Sequence, residues 1–180
     1  MSARPSPCPS PTGRGDPRFA LPAWAHRPGE TAGADHEPLT IAKASIPTRY
    51  DGPVPSDDPA LLYGLSLYAG GFFWEAHEVW EAVWKAAPMN GPDRIALRAL
   101  IQLANTGLKL RMGRNAAAAR LLAEAAELVT ELVARRVRGG LAAALDPTAF
   151  GREVGRSRAE LGSADRRAAR PPDLSLAWRT

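Results

Sequence analysis

The sequence predicts an all-α protein: an antiparallel bundle of about four to five helices, arranged as two stacked helical hairpins, with extended N- and C-terminal arms. Three observations lead there. Of 17 prolines, only Pro88 and Pro92 fall between Ala60 and Arg138, and a stretch that excludes proline for so long can sustain helices. Within it, apolar residues recur at three- and four-residue intervals, the period of a helix with one buried face. Short breaks of Gly, Pro and Asn divide it, too short for anything but antiparallel neighbours.

The elements follow in order. Residues 1–18, rich in Pro, Ser, Gly and Arg, cannot bury apolar surface and read as a disordered leader. Residues 19–56 scatter Phe19, Leu21, Trp24, Leu39, Ile41, Ile46, Tyr50 and Val54 among prolines and glycines. This reads as an extended arm packing on the body, with one short helix near Ile41. The helical domain spans residues 57–138. Its first helix starts at Ser56-Asp57-Asp58-Pro59, a polar cap followed by proline in the first turn. Leu61, Leu62, Leu65 and Tyr68 give it helical spacing, and Gly70-Gly71 end it.

The second helix runs from about Phe72 to Ala87, with Phe72, Phe73, Ala76, Val79, Trp80, Val83 and Trp84 on one apolar arc. The third runs from Asp93 to Arg111 and stops at Gly113. Its apolar surface is wide, so it is expected to be central, with Arg98, Gln102, Asn105 and Lys109 on the remaining stripe. The fourth follows Asn115, read as its N-cap, and runs to about Arg138. Leu121, Leu122, Ala125, Leu128, Val129, Leu132 and Val133 are its inward set, and Gly139-Gly140 its stop. Residues 139–180 read as a C-terminal helix after Pro147 and a docking tail in which Leu174, Leu176 and Trp178 alternate.

The second and fourth helices echo each other. Gly71-x-Phe73-x-x-Ala76 recurs 42 residues later as Gly113-x-Asn115-x-x-Ala118. With Trp80, Val83 and Pro88, the frame resembles one tetratricopeptide repeat. Two units fall short of the ~3 that a solenoid needs, so two stacked hairpins are the expectation.

Composition narrows function. The net charge is +4, but acids interleave the basic residues and no basic stripe carries stacking aromatics. Nucleic acid is therefore a disfavoured partner. Lysine is scarce beside arginine and alanine abounds, the usage of a GC-rich bacterial genome. The single cysteine, Cys8, excludes an internal disulfide and fits a reducing cytoplasm. No apolar run approaches the ~18 residues of a membrane span.

The chemistry-bearing motif is Glu75-x-His77-Glu78-x-x-Glu81 on the second helix. His77 and Glu81 are four apart and project together at the edge of the apolar arc. In His-Glu-x-x-His zinc hydrolases this separation sets two ligands side by side, and the glutamate after the first histidine is the general base. Here Glu81 stands where the second histidine would be. The candidate set is His77 and Glu81 as metal ligands, for zinc or manganese, with Glu78 or Glu75 as base. Gln102 and Lys109 are supporting residues. The same residues equally fit a helix flank that makes only hydrogen bonds and ion pairs. Gln102 lies among apolar neighbours, so its amide needs partners, and Glu78, Glu81 or His77 could supply them. Trp74, on the polar side, calls for cover from the arm or a partner.

Two strings carry a family resemblance. Leu67-Tyr68-Ala69-Gly70-Gly71-Phe72-Phe73-Trp74-Glu75-Ala76-His77-Glu78-Val79-Trp80-Glu81 is one. Leu100-Ile101-Gln102-Leu103-Ala104 with Lys109 and Gly113-x-Asn115 is the other. Together they resemble the domain of unknown function 309 family over about Leu61 to Leu132, with a weaker likeness at Leu21-Pro22-x-Trp24 and Pro28-Gly29. Arg114, between Gly113 and Asn115, departs from the family pattern. The resemblance implies a small all-helical protein of a kind catalogued as predicted metal-dependent hydrolases. Two functions stay open: a metal-dependent hydrolase in which a metal-activated water is deprotonated by a free carboxylate, or a non-catalytic tetratricopeptide-like module for a peptide or protein partner. A small-molecule ligand and a homo-oligomer are also open.

Overall fold

The computed structural model describes residues 19–31, 35–137, 139–163, 169–175 and 177–178. The leader expected at residues 1–18, and Leu176 of the expected docking pattern, lie outside these. The described chain is all-helical: α1 (His36–Ala44), α2 (Pro59–Ala69), α3 (Phe73–Ala86), α4 (Pro92–Arg111), α5 (Asn115–Ala134), α6 (Gly140–Ala144) and α7 (Pro147–Gly162). α2 packs on α3, α3 on α4 and α4 on α5, which makes the stacked hairpins; α1 covers α3 and α2, and α7 covers α5. No helix among the described residues is long and apolar enough to cross a membrane.

Local chemistry sets the helix ends. Asp58 caps α2 by accepting the Leu61 N–H at 3.0 Å, and its other oxygen accepts the Tyr50 hydroxyl at 2.9 Å. Asp146 does the same for α7, accepting from Thr148 and Ala149. α5 begins at its expected cap: Arg114 is the N-cap and Asn115 is already helical. It ends early, at Ala134, where Arg136 turns to φ 48°. The five-residue α6 has no periodicity to announce it.

Two close approaches fix the hairpins. A Cβ on Gly64 would overlap the Trp80 indole, so only glycine lets α2 reach α3 here. Trp80 is fully buried and donates its Nε1–H to the Leu61 carbonyl at 3.2 Å. Gly107 of α4 stands in the same relation to the Phe73 ring of α3. The core runs the length of the bundle through Leu61, Leu67, Val79, Leu97, Leu100, Leu103 and Leu122.

Two assignments of inward faces change. α2 buries Tyr63, Gly64 and Leu67 as well as Leu61 and Tyr68, because terminal segments cover the sides the bundle leaves open. Val133, expected inside, is 53 % exposed. It lines a shallow groove between α5 and α7.

Asp93 ties the ends of the body together. Fully buried at the start of α4, it accepts the Val54 N–H at 2.7 Å and the Ala142 N–H at 3.0 Å. Burial pushes its carboxyl above the usual range, against the pull of those two bonds. Residues 169–175 and 177–178 run back along α7 and α2. Ser157 donates to the Arg170 carbonyl, Tyr68 to the Pro172 carbonyl, and Leu145 bridges Trp178.

Gly64→Ala is expected to cost about 1–3 kcal/mol through overpacking against Trp80. Asp93→Ala is expected to cost about 2–4 kcal/mol, since it strands two buried N–H groups. Urea unfolding followed by circular dichroism measures both.

Candidate functional site

The acidic-histidine motif splits between two faces of α3. His77, Glu78 and Glu81 are half-buried on the flank beside α1. Glu78 accepts from Lys43 of α1 at 2.8 Å, and its other oxygen stands 3.7 Å from His77 Nδ1. Glu81 pairs with Lys85 one turn on, at 3.3 Å. Burial holds the His77 imidazole below its ordinary pKa; Glu78 and Glu81 oppose that shift, while Lys43 and Lys85 reinforce it. His77 is therefore neutral near neutral pH.

Gln102 does not join this group. Its amide donates to Glu124 of α5 at 2.6 Å, on the α4–α5 side. Lys109, further along α4, is half-buried and forms no ion pair with a described residue. Each carboxylate of the flank faces a lysine ammonium, where a ligand set would face a metal. Among the described residues, no group of three or more His, Cys, Asp or Glu side chains could hold a metal ion. The donors present do not fit the metal implied by the resemblance.

Glu75 belongs to a different environment. Expected near the polar edge of α3, it is 0 % exposed. Residues 19–31 close over it as a strap. Its Oε1 accepts the backbone N–H of His26 at 2.6 Å, and its Oε2 is buried with no hydrogen-bond partner among the described residues. Burial raises its pKa; bonds from His26 and its own backbone N–H, with the charges of His26 and Arg111, only partly offset this.

The strap is held chiefly through its main chain. Tyr63 of α2, also buried, donates its hydroxyl to the Ala20 carbonyl at 2.7 Å. Phe19 packs on the Tyr63 ring at 5.2 Å, and Pro22 is buried. Trp74 is half-buried under two histidine rings edge-on, His26 at 4.7 Å and His36 at 6.1 Å. His26 Nδ1 lies 2.7 Å from the Thr31 hydroxyl, and Asp35 accepts the Ala23 N–H, folding the strap back towards α1. Arg111 of α4 reaches across the Phe73 ring at 5.0 Å and fills the space beside Gly71, whose φ of 79° suits glycine.

Tyr63 and the strap's backbone groups were not evident from sequence. The available signal was a tyrosine off the expected inner face of α2 and an apolar Phe19-Ala20-Leu21-Pro22 string upstream.

Residues 61–121 match the family model described as Domain of unknown function (DUF309). The chain carries a DUF309 domain. The match covers α2 from Leu61, all of α3 and α4 and the first turns of α5, so it includes Tyr63, Glu75, His77, Glu78 and Glu81, while Lys43 of α1 lies outside it. The strap lies outside the matched DUF309 segment. No curated protein and no solved structure matches the chain.

Elemental analysis after dialysis against zinc or manganese is expected to find substoichiometric metal, equal in wild type and His77→Ala. Stoichiometric metal lost on His77→Ala would reverse this reading of the flank.

Proposed function

We propose that the protein is a non-catalytic helical-hairpin module that holds an extended polypeptide segment against α2 and α3. The supporting observation is that buried side chains of this face bond to main-chain atoms of an extended segment. Tyr63 bonds the Ala20 carbonyl, and Glu75 bonds the His26 N–H. Tyr68 bonds the Pro172 carbonyl in the same manner. Main-chain recognition suits any extended chain, while pockets for alternate side chains select among them. The selecting contacts here are aromatic on Tyr63, proline at the buried Pro22 position, and a ring on Trp74. The partner is thus an extended, proline-containing segment with an aromatic residue near its start, of the strap's own pattern.

The hydrolase reading, with Glu78 or Glu75 as base, has less support. Glu78 is engaged by Lys43, and Glu75 is sealed from the flank that carries His77.

A chain beginning at Asp35, first shown to be helical, is expected to bind a labelled peptide spanning Phe19–Thr31 saturably. Tyr63→Phe should weaken this about three- to tenfold, the worth of one net hydrogen bond. No binding at millimolar peptide, with helicity intact, would overturn the proposal.

A further inference from the structure

We propose that one face of α7, completed by Tyr68 of α2, is a recognition site for an extended Pro-Pro-Asp-Leu segment of another polypeptide, with residues 170–174 of this chain as its resident ligand in cis. The site is separate from the face under the strap and does not depend on it. From the Arg170 N–H to the Asp173 N–H, each main-chain polar group of the tail meets a side chain of the body. The Arg170 N–H donates to Glu160 at 2.8 Å, and the Arg170 carbonyl accepts from Ser157 at 2.7 Å. The Pro171 carbonyl accepts from Arg156 Nη2 and the Pro172 carbonyl from the Tyr68 hydroxyl, each at 2.9 Å. The Asp173 N–H donates to Glu153 at 2.9 Å.

The order of donors and acceptors selects the ligand. Acceptors meet the N–H groups at positions 170 and 173, and donors meet the carbonyls at 170, 171 and 172. Proline suits the two middle positions, since it brings no N–H and its φ is fixed near −65°. Pro172 is buried. Another residue there would carry an N–H into a place faced by the donors Tyr68 and Arg156. Asp173 then turns the chain by accepting the Ser175 N–H and hydroxyl, and Leu174 enters the core, 3 % exposed.

The site is held in shape by bonds within α7. Glu153, Arg156 and Glu160 follow the spacing that places side chains on one helix face. Arg156 is clamped between the two carboxylates: Nε and Nη2 lie 3.1 and 3.0 Å from Glu153, and Nη1 lies 2.7 Å from Glu160. A planar guanidinium gripped on both sides presents its remaining N–H in a fixed direction. Ser157 and Tyr68 are buried and equally fixed. Donors positioned before the ligand arrives lose little freedom on binding it. What the segment supplies is main chain, two prolines and a leucine, groups that any chain with the same string offers. The covalent tail holds the place through its high local concentration.

The test uses the full-length chain carrying Leu174→Asp, which withdraws the apolar anchor and frees the site; circular dichroism first establishes wild-type helicity. The probe is a labelled peptide spanning Ala169–Ser175. It is expected to bind saturably and to shift the Arg156 Nε–H resonance. Binding to the wild-type chain should be at least about tenfold weaker, because the tail competes. In the Leu174→Asp background, Tyr68→Phe should weaken binding about three- to tenfold. A Pro172→Ala peptide should bind about five- to a hundredfold more weakly, having buried an unpaired N–H. Should Leu174→Asp lose helicity, Pro172→Ala in the full chain, which loosens the tail and keeps the anchor, carries the same titration. Absence of binding at millimolar peptide, equal binding of the Pro172→Ala peptide, or no effect of Tyr68→Phe overturns the proposal. Displacement of the probe by the Phe19–Thr31 peptide overturns it too, since the two segments would then share one face. The strapless-chain experiment reads a different peptide, so each of the two readings fails alone.

Discussion

The distance between α2 and α3 is set by the Trp80 indole lying against Gly64, and the rest of the molecule is arranged around that contact. With no Cβ in the way, α2 closes on the ring, and the indole N–H finds the Leu61 carbonyl. Tyr68 packs beside the same indole at 5.9 Å. Gly107 repeats the device on the other side of α3, against Phe73. Held from both sides, α3 has little freedom to rotate. Its outer face then presents Glu75 next to Tyr63 of α2, the pair on which the strap closes.

The helical body was legible because its signals are local. Asp58-Pro59 marks the start of α2, Gly70-Gly71 its end, Pro88 and Pro92 the next turn, and Gly113 the last. Each acts through its own backbone preference or cap. The surroundings of Glu75 were not legible. Helical periodicity assigns a residue to an arc, and it assumes that the opposite arc meets water. Here residues 19–31, with no periodicity, cover that arc and turn a polar-edge glutamate into a buried one. The partner of Gln102 escaped for a related reason. The sequence shows that the amide needs an acceptor but does not say whether α3 or α5 supplies it, and Glu124 of α5 does. Val133 continues the α5 apolar pattern but is turned to an open groove against α7.

The two halves of the motif therefore do different work. On the flank, lysines compensate the glutamates at the surface, where such pairs contribute modestly. Under the strap, Glu75 pairs with no lysine among the described residues and is stabilised mainly by backbone N–H groups. One short string of residues thus spans a charge-balanced surface and a buried carboxyl. The DUF309 match takes in both, along with Tyr63, while the segment that seals Glu75 lies upstream of it.

The Asp93 carboxylate also says something about how this body connects to the rest of a chain. It grips the backbone at Val54, where the path enters the bundle, and at Ala142, where it leaves, and Leu141 donates directly to the Val54 carbonyl at 2.8 Å. Entry and exit therefore meet at one corner. A helical unit whose two ends are so joined has the geometry of a cassette: placed within a surface loop of a host protein, it would require little separation of the loop's ends.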